Sequence, residues 1–131
     1  MTSLELWQKA EEARRHSYAP YSSFSVGAAL LCEDGTVYTG CNIENGSFSP
    51  TVCAERTAFF KAISEGNRSF KAIAVSGAKQ NEKGRVCYPC GVCRQVMAEF
   101  CSETSFRIIV GNNEEISEIT LGELLPFSFT L

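Results

Sequence analysis

Three cysteines in two distant segments most strongly constrain how this chain can fold. They lie in Cys53-Ala54-Glu55 and in Cys90-Gly91-Val92-Cys93. Each residue of a helix turns about 100°, so the two sulfurs of a Cys-x-x-Cys pair lie about 60° apart and can bind one ion. If Cys53 joins that pair, the helices beginning at Cys53 and Cys90 must start at the same point.

A three-sulfur site points to catalysis rather than to structure. Structural zinc sites usually carry two Cys-x-x-Cys pairs, whereas three protein ligands leave a fourth position for water, whose pKa the metal lowers from about 16 to about 7. Cys53 and Glu55 can address one site only from the open first turn of a helix. The free N–H groups and positive dipole of such a turn favour ionised sulfurs.

Charge balance requires a cation near this site, and the spacing of the cysteines leaves the choice of ligands open. Three thiolates on a divalent ion sum to −1, and Arg56 is the candidate cation that donates to the ligand sulfurs. Cys87 and Cys90 form a competing Cys-x-x-Cys pair, so spacing alone does not choose the ligands. A redox pair or half of a structural zinc site would show the same motif. A non-enzymatic zinc module would need a fourth protein ligand and no Glu55.

The periodicity of the chain predicts an α/β sandwich around a mixed sheet. Thr2 and Glu5 are typical of a capping box, and the helix they begin ends by Pro20. A hairpin comes next, and helices then alternate with strands. The predicted elements are strands over 25–32 and 36–41, a loop over 42–51, a helix over 53–65, a strand over 70–76, a helix over 91–101, a strand over 106–110, a weak strand after Asn113 and a short helix over 121–125.

Composition limits the remaining possibilities. The 131 residues fit one domain, 1–131, with one core. Twelve scattered basic residues against 15 acidic ones give a net charge of −3, which disfavours a nucleic-acid partner. Seven cysteines without an export signal argue against a disulfide framework, and no apolar run approaches the roughly 18 residues of a membrane span. A soluble, cytosolic protein is expected, with Cys32, Cys41 and Cys101 in the core and His16 as a polar residue near a helix end.

The motifs together resemble those of the small homotetrameric zinc-dependent cytidine deaminases. The zinc deaminase signature is a ligand-x-Glu followed by Pro-Cys-x-x-Cys, with a three-cysteine variant. The resemblance covers nearly the whole chain. The matching runs are Tyr18 to Ser22, Val26 to Leu30, Gly40 to Asn45, Cys53 to Ala58 and Pro89 to Gln95.

The resemblance implies a fold and an activity. The fold is a three-layer sandwich, a mixed five-stranded sheet with helices on both faces. The activity is hydrolytic deamination of cytidine and 2′-deoxycytidine in pyrimidine salvage, in which Glu55 passes protons from water to ring nitrogen 3 and to the leaving amine. A blasticidin S deaminase is the alternative inside the superfamily, and a nucleic-acid deaminase is disfavoured by the missing basic groove.

The resemblance also implies the roles of individual residues. It makes Cys53, Cys90 and Cys93 the zinc ligands, leaves Cys87 outside the set and makes Glu55 catalytic. The residues it implies for substrate binding are Phe24, Asn42, Glu44 and Ala54, with Phe48 and Phe129 closing the pocket of a neighbouring subunit. The family more often has tyrosine at position 48. Phe127 is the alternative to Phe129.

Overall fold

A five-stranded mixed sheet forms the centre of the fold in the computed structural model, which describes residues 1–131. The elements are α1 (Ser3–Ala13) with a 3₁₀ turn (Arg14–His16), β1 (Phe24–Cys32), β2 (Val37–Cys41), α2 (Ala54–Ser64), β3 (Phe70–Lys79), α3 (Gly91–Phe100), β4 (Arg107–Gly111), β5 (Ile116–Thr120) and α4 (Leu121–Leu124). The strand order is β2-β1-β3-β4-β5. Only the β3–β4 pair is parallel, so the predicted mixed sheet is confirmed.

The hairpin of β1 and β2 positions the start of α2. Its turn contains Gly35 at φ +92°, a conformation that glycine adopts without a steric penalty. At Gly40 in β2, an added Cβ would lie 2.5 Å from the carbonyl oxygen of Ala54. The first turn of α2 therefore packs directly on the strand, and only a glycine at this position permits it.

The two faces of the sheet carry separate cores. Helix α1 covers one face, where Leu6, Trp7 and Ala10 pack with Ala29, Ala74 and other small or aliphatic residues. The apolar residues of α1 recur at helical spacing, so one stripe of the helix faces the sheet. Helices α2 and α3 cover the opposite face with a larger cluster of 17 buried residues. The predicted three-layer arrangement is confirmed.

Long-range pairing explains where the structure departs from the predicted boundaries. Strand β3 continues to Lys79, beyond the predicted end at Ser76, because Lys79 pairs with Phe24 of β1. The predicted helix over 53–65 begins at Ala54, with Cys53 as its N-cap. Neither the pairing of strands distant in sequence nor the exact cap is encoded in local periodicity.

The predictions for the remaining cysteines and for the histidine were mostly correct. Cys32 is in the larger core, and Cys101 packs against that core. The prediction for Cys41 was wrong: this residue is half-buried at the end of the edge strand β2 and belongs to neither core cluster. His16 is exposed in the turn after α1, as expected. No helix combines the length and apolar character that crossing a membrane requires.

Candidate active site

The sulfurs of Cys53, Cys90 and Cys93 converge on one point. All three Sγ atoms lie within 4.8 Å of one another. The Cys90 Sγ is 3.7 Å from that of Cys53 and 3.7 Å from that of Cys93. A tetrahedral zinc with Zn–S bonds of about 2.3 Å places its ligands about 3.8 Å apart. The group is therefore positioned to bind one zinc ion.

Two helix starts build this cluster. Cys53 is the N-cap of α2 and Cys90 is the N-cap of α3, and neither side chain makes a capping hydrogen bond. The thiols of these two residues thus lie beside the free N–H groups and positive dipole ends of both helices, which favour thiolates. The predicted meeting of the two helices is confirmed.

Neighbouring groups stabilise a thiolate at Cys53. The hydrogen bond from Cys93 and further hydrogen bonds from Arg56 and Cys90 outweigh burial and lower the pKa of Cys53 to about 5. The hydrogen bond to Cys53, together with burial, raises the pKa of Cys93. Since the surroundings of Cys53 favour its negative charge, the group is suited to a cation.

Arg56 lies against the cluster, as charge balance requires. Its Nη2 donates to the Cys53 Sγ over 3.4 Å. Its Nε is buried and has no hydrogen-bond partner. The guanidinium is thus held beside the sulfurs by its position in the first turn of α2 rather than by a network of its own.

Glu55 is a buried carboxylate beside the sulfurs. It is 4% exposed and lies in the first turn of α2, two residues after Cys53. Burial, with a further contribution from the charge of Cys53, raises the pKa of its carboxyl to about 7. The group can therefore gain or lose a proton near neutral pH, as a general acid–base catalyst must.

A pocket of about 220 Å³ opens over this group. Polar and apolar side chains both line it. The lining residues are Val26, Asn42, Glu44, Thr51, Val52, Cys53, Ala54, Glu55, Cys87, Tyr88 and Cys90. Of the predicted substrate contacts, the structure brings Asn42, Glu44 and Ala54 together around Glu55 and the cysteines.

Hydrogen bonds to the backbone orient two polar side chains that line the pocket, Asn42 and Glu44. Asn42 accepts from the Val26 N–H over 2.9 Å and donates to the Phe24 carbonyl over 2.9 Å. One amide N–H and one lone pair of Asn42 remain for a ligand. Glu44 accepts from the backbone N–H groups of Tyr21 and Ser22.

The carboxylate of Glu44 is held in its charged form. A hydrogen bond from the Ser22 hydroxyl and two from backbone N–H groups lower the pKa of Glu44. The side chain is therefore an acceptor at neutral pH, suited to a ligand hydroxyl.

Three predicted aromatic contacts lie outside the pocket of this chain. Phe24 is half-buried at the start of β1. Phe48 is 74% exposed, and its ring meets that of Tyr21 edge to face at 6.4 Å. Phe129 is 65% exposed, and Phe127 is fully exposed. Their roles stay predictions.

Sequence reasoning did not identify five of the lining residues. One is Val26 in β1, and the other four lie next to the cysteines of the cluster. Thr51 and Val52 directly precede the ligand Cys53, and Cys87 and Tyr88 precede Pro89 and Cys90. Adjacency to the ligands was the available signal. Cys87 is a case apart: it lines the pocket, but it lies outside the group of three converging sulfurs.

Comparison with known proteins agrees with this geometry. Residues 1–112 match the family model described as cytidine and deoxycytidylate deaminase zinc-binding region. A cytidine deaminase from Sporosarcina psychrophila is 52% identical over 126 residues, covering 96% of this chain and 90% of the relative. One from Mycobacterium tuberculosis is 40% identical over 123 residues, covering 93% and 85%. The crystal structure of a cytidine deaminase from Burkholderia pseudomallei superposes with a TM-score of 0.88 at 45% identity, covering 98% of this chain and all of that one.

Proposed function

The chain belongs to the cytidine deaminase family, and from this premise we propose that it hydrolyses cytidine and 2′-deoxycytidine to uridine and 2′-deoxyuridine with release of ammonia. The observation that carries the proposal is a buried carboxylate next to three converging cysteine sulfurs, in a pocket that an amide and a second carboxylate also line. These groups suit the two ends of a cytosine nucleoside. The carboxylate and the sulfurs suit the base that reacts, and the amide and the second carboxylate suit the sugar hydroxyls.

Cys53, Cys90 and Cys93 would hold the zinc ion. Their separations match a tetrahedral ligand set, and three protein ligands leave one position open. When bound, zinc supplies Lewis-acid activation of a water molecule. Arg56 offsets the excess negative charge of three thiolates by donating to Cys53.

Glu55 is the general acid and base. Its carboxylate takes a proton from the attacking water and gives it to ring nitrogen 3 while the oxygen bonds to carbon 4. It then takes the remaining proton from that oxygen and delivers it to the amine, so that the carbon–oxygen double bond forms, the carbon–nitrogen bond breaks and ammonia leaves. A carboxyl whose pKa lies near 7 is suited to both transfers.

Asn42 and Glu44 would bind the ribose hydroxyls. Both line the pocket, and both are oriented by hydrogen bonds to β1 or to the turn before it. The free amide N–H of Asn42 can donate to one hydroxyl, and the ionised Glu44 can accept from another. Ala54 has no polar side chain and would contact the base.

We further propose a homotetramer that shares its active sites. Phe48 and Phe129 are large, exposed aromatic side chains that lie outside their own pocket, which suits residues that close the pocket of a neighbouring subunit. We also propose that residues 1–131 form a single deaminase domain that works in the cytosol. Seven free cysteines are compatible with a reducing compartment.

Ultraviolet monitoring of the purified protein tests the activity. The ultraviolet spectra of cytidine and 2′-deoxycytidine should change into those of uridine and 2′-deoxyuridine. A zinc chelator should abolish this change. Blasticidin S and single-stranded DNA are assayed separately as the substrates of the two alternative deaminases. Turnover of either one without turnover of cytidine would contradict the proposal.

A further inference from the structure

Residues 80–90 form part of the pocket wall, although this segment contains no helix or strand. It follows β3 and carries Cys87, Tyr88 and Cys90 to the pocket. Its backbone is joined to β3 at two points: the Glu82 N–H donates to the Lys79 carbonyl over 3.0 Å, and Arg85 exchanges a pair of hydrogen bonds with Gly77. Side chains from elsewhere must therefore help to determine its position.

Arg14, in the turn after α1, is one of these side chains. It is 7% exposed, which is rare for an arginine unless its donors are satisfied. Its guanidinium donates to the carbonyl oxygens of Lys79 over 3.0 Å, Glu82 over 3.1 Å and Ser25 over 3.0 Å. One side chain thus ties strand β1 to the end of β3 and to the segment that follows.

Glu11, in the last turn of α1, completes the attachment. Its Oε1 accepts from Arg14 Nη1 over 2.9 Å and from the Ser76 hydroxyl over 2.8 Å. Its Oε2 accepts from the Gly84 N–H over 2.8 Å. Both oxygens of the carboxylate are therefore engaged, and one of them holds the backbone of the segment directly.

The close approach of Gly84 makes this attachment specific. A Cβ at position 84 would lie 1.9 Å from the Ser76 Oγ and 2.1 Å from the Glu11 Oε1. Only a glycine lets the backbone rest on the carboxylate. Gly84 lies four residues before Tyr88 and six before Cys90, both of which line the pocket.

We propose that Glu11 and Arg14 are positioning residues for the deamination reaction, which act by fixing the 80–90 segment and through it Tyr88 and Cys90. The inference rests on the proposed function. Displacement of reacting groups by about 1 Å can lower a rate by about a hundredfold, so a distant attachment of this kind is able to control catalysis.

The neighbouring pair Glu12 and Arg15 provides a matched control. It has the same three-residue spacing, from the end of α1 into the turn that follows, with a 3.2 Å contact, but both side chains are exposed to solvent. Glu11→Gln keeps the size of the side chain but replaces one carboxylate oxygen with an NH₂ group. That NH₂ cannot accept the hydrogen bond that the oxygen accepts in the wild type. Arg14→Lys keeps the charge but cannot reach three carbonyls. Glu12→Gln and Arg15→Lys are the corresponding controls.

The experiment measures kcat and KM for cytidine on zinc-loaded protein, together with amide hydrogen exchange over residues 80–90. Glu11→Gln and Arg14→Lys should each lower kcat/KM by about tenfold to a hundredfold and speed exchange in the segment. The double variant should lose little more than either single one, since both act through one attachment. The control variants should match the wild type.

A purely structural role would lower the melting temperature but leave kcat/KM per bound zinc unchanged, and that result would overturn the proposal. Faster exchange without a change in kcat/KM would overturn it as well, and so would a lower kcat/KM without faster exchange. If Glu11→Gln does not fold, Arg14→Lys decides by the same criteria. A wild type inactive on cytidine would refute the proposed function, whereas unchanged hydrogen exchange in folded variants would refute the attachment itself.

Discussion

Glu55 and Glu11 are two glutamates in helices on opposite faces of the sheet, and the structure treats their charges in opposite ways. Glu11, 24% exposed, accepts hydrogen bonds from Arg14, Ser76 and Gly84. Although burial alone would raise its pKa, these bonds lower it. Glu55, 4% exposed, lies beside the Cys53 thiolate, and burial raises its pKa to about 7.

The difference separates a carboxylate that holds the structure together from one that is kept reactive. A carboxylate whose partners satisfy it stays ionised and fixes the groups that bond to it. In a buried carboxyl, burial can raise the pKa more than hydrogen bonds lower it. Such a group gains and loses its proton near neutral pH, which suits acid–base chemistry. The same side chain serves both purposes because its surroundings differ.

The contrast predicts its largest effect in turnover. Glu55→Gln should lower kcat for cytidine by about a thousandfold or more, since general acid–base groups contribute about 10² to 10⁴, while keeping one zinc per chain. Glu12→Gln, on the exposed side of α1, is the matched control and should keep wild-type kcat. Substantial activity in Glu55→Gln would contradict the role of Glu55 as the general acid and base.

Stability against pH should show the raised pKa of Glu55. The folded pKa of about 7 exceeds the ordinary value of 4.5. Stability from this group is therefore present below pH 4.5 and is lost as pH rises through 7. Metal-free Glu55→Gln should be more stable than metal-free wild type at pH 8 by about 3 kcal/mol, and equal to it at pH 4. Urea unfolding with chelator and reductant measures the difference. No gain at pH 8 would contradict the assignment.

Glu11→Gln should show the opposite sign. Because the folded pKa of Glu11 lies below 4.5, its stabilisation is present above that value and is lost as pH falls through the folded pKa. The variant should be less stable than wild type by about 1 to 3 kcal/mol at pH 7, the usual loss for a hydrogen-bonded charged group. The deficit should shrink in acid. The same urea titrations check it, and a deficit that grows in acid would refute it.

Arg56→Ala tests the smallest of these effects. Loss of its hydrogen bond should raise the pKa of Cys53, so zinc must compete with a proton at higher pH. Zinc affinity should fall by about tenfold, the lower end of what such supporting groups contribute, and the acid limb of the activity profile should move to higher pH. Arg15→Ala is the exposed control. An unshifted acid limb would remove the role of Arg56.

The fold was predictable because its signals are local. The capping threonine, the glycine of the first hairpin and the alternation of helices with strands are each visible within a short window of sequence. The extension of β3 to Lys79 was not visible, because its cause is a partner at Phe24.

The candidate site was predictable in part for the same reason. Cys53, Glu55 and Arg56 share one helical turn, and Cys90 and Cys93 share another. The choice of Cys93 over Cys87 rested on resemblance until the sulfur positions supported it. The attachment of Gly84 to Glu11 had no local signal, because the two residues are 73 positions apart in the sequence.

Zinc K-edge absorption spectroscopy tests the central claim most directly, because it counts the sulfur atoms bound to the metal. The wild type should show three sulfurs at about 2.3 Å and one lighter ligand, and Cys87→Ser should give the same spectrum. Four sulfurs in the wild type would mean that no open position lies beside Glu55, and the loss of one in Cys87→Ser would mean that Cys87 is a ligand. Either result would contradict the account.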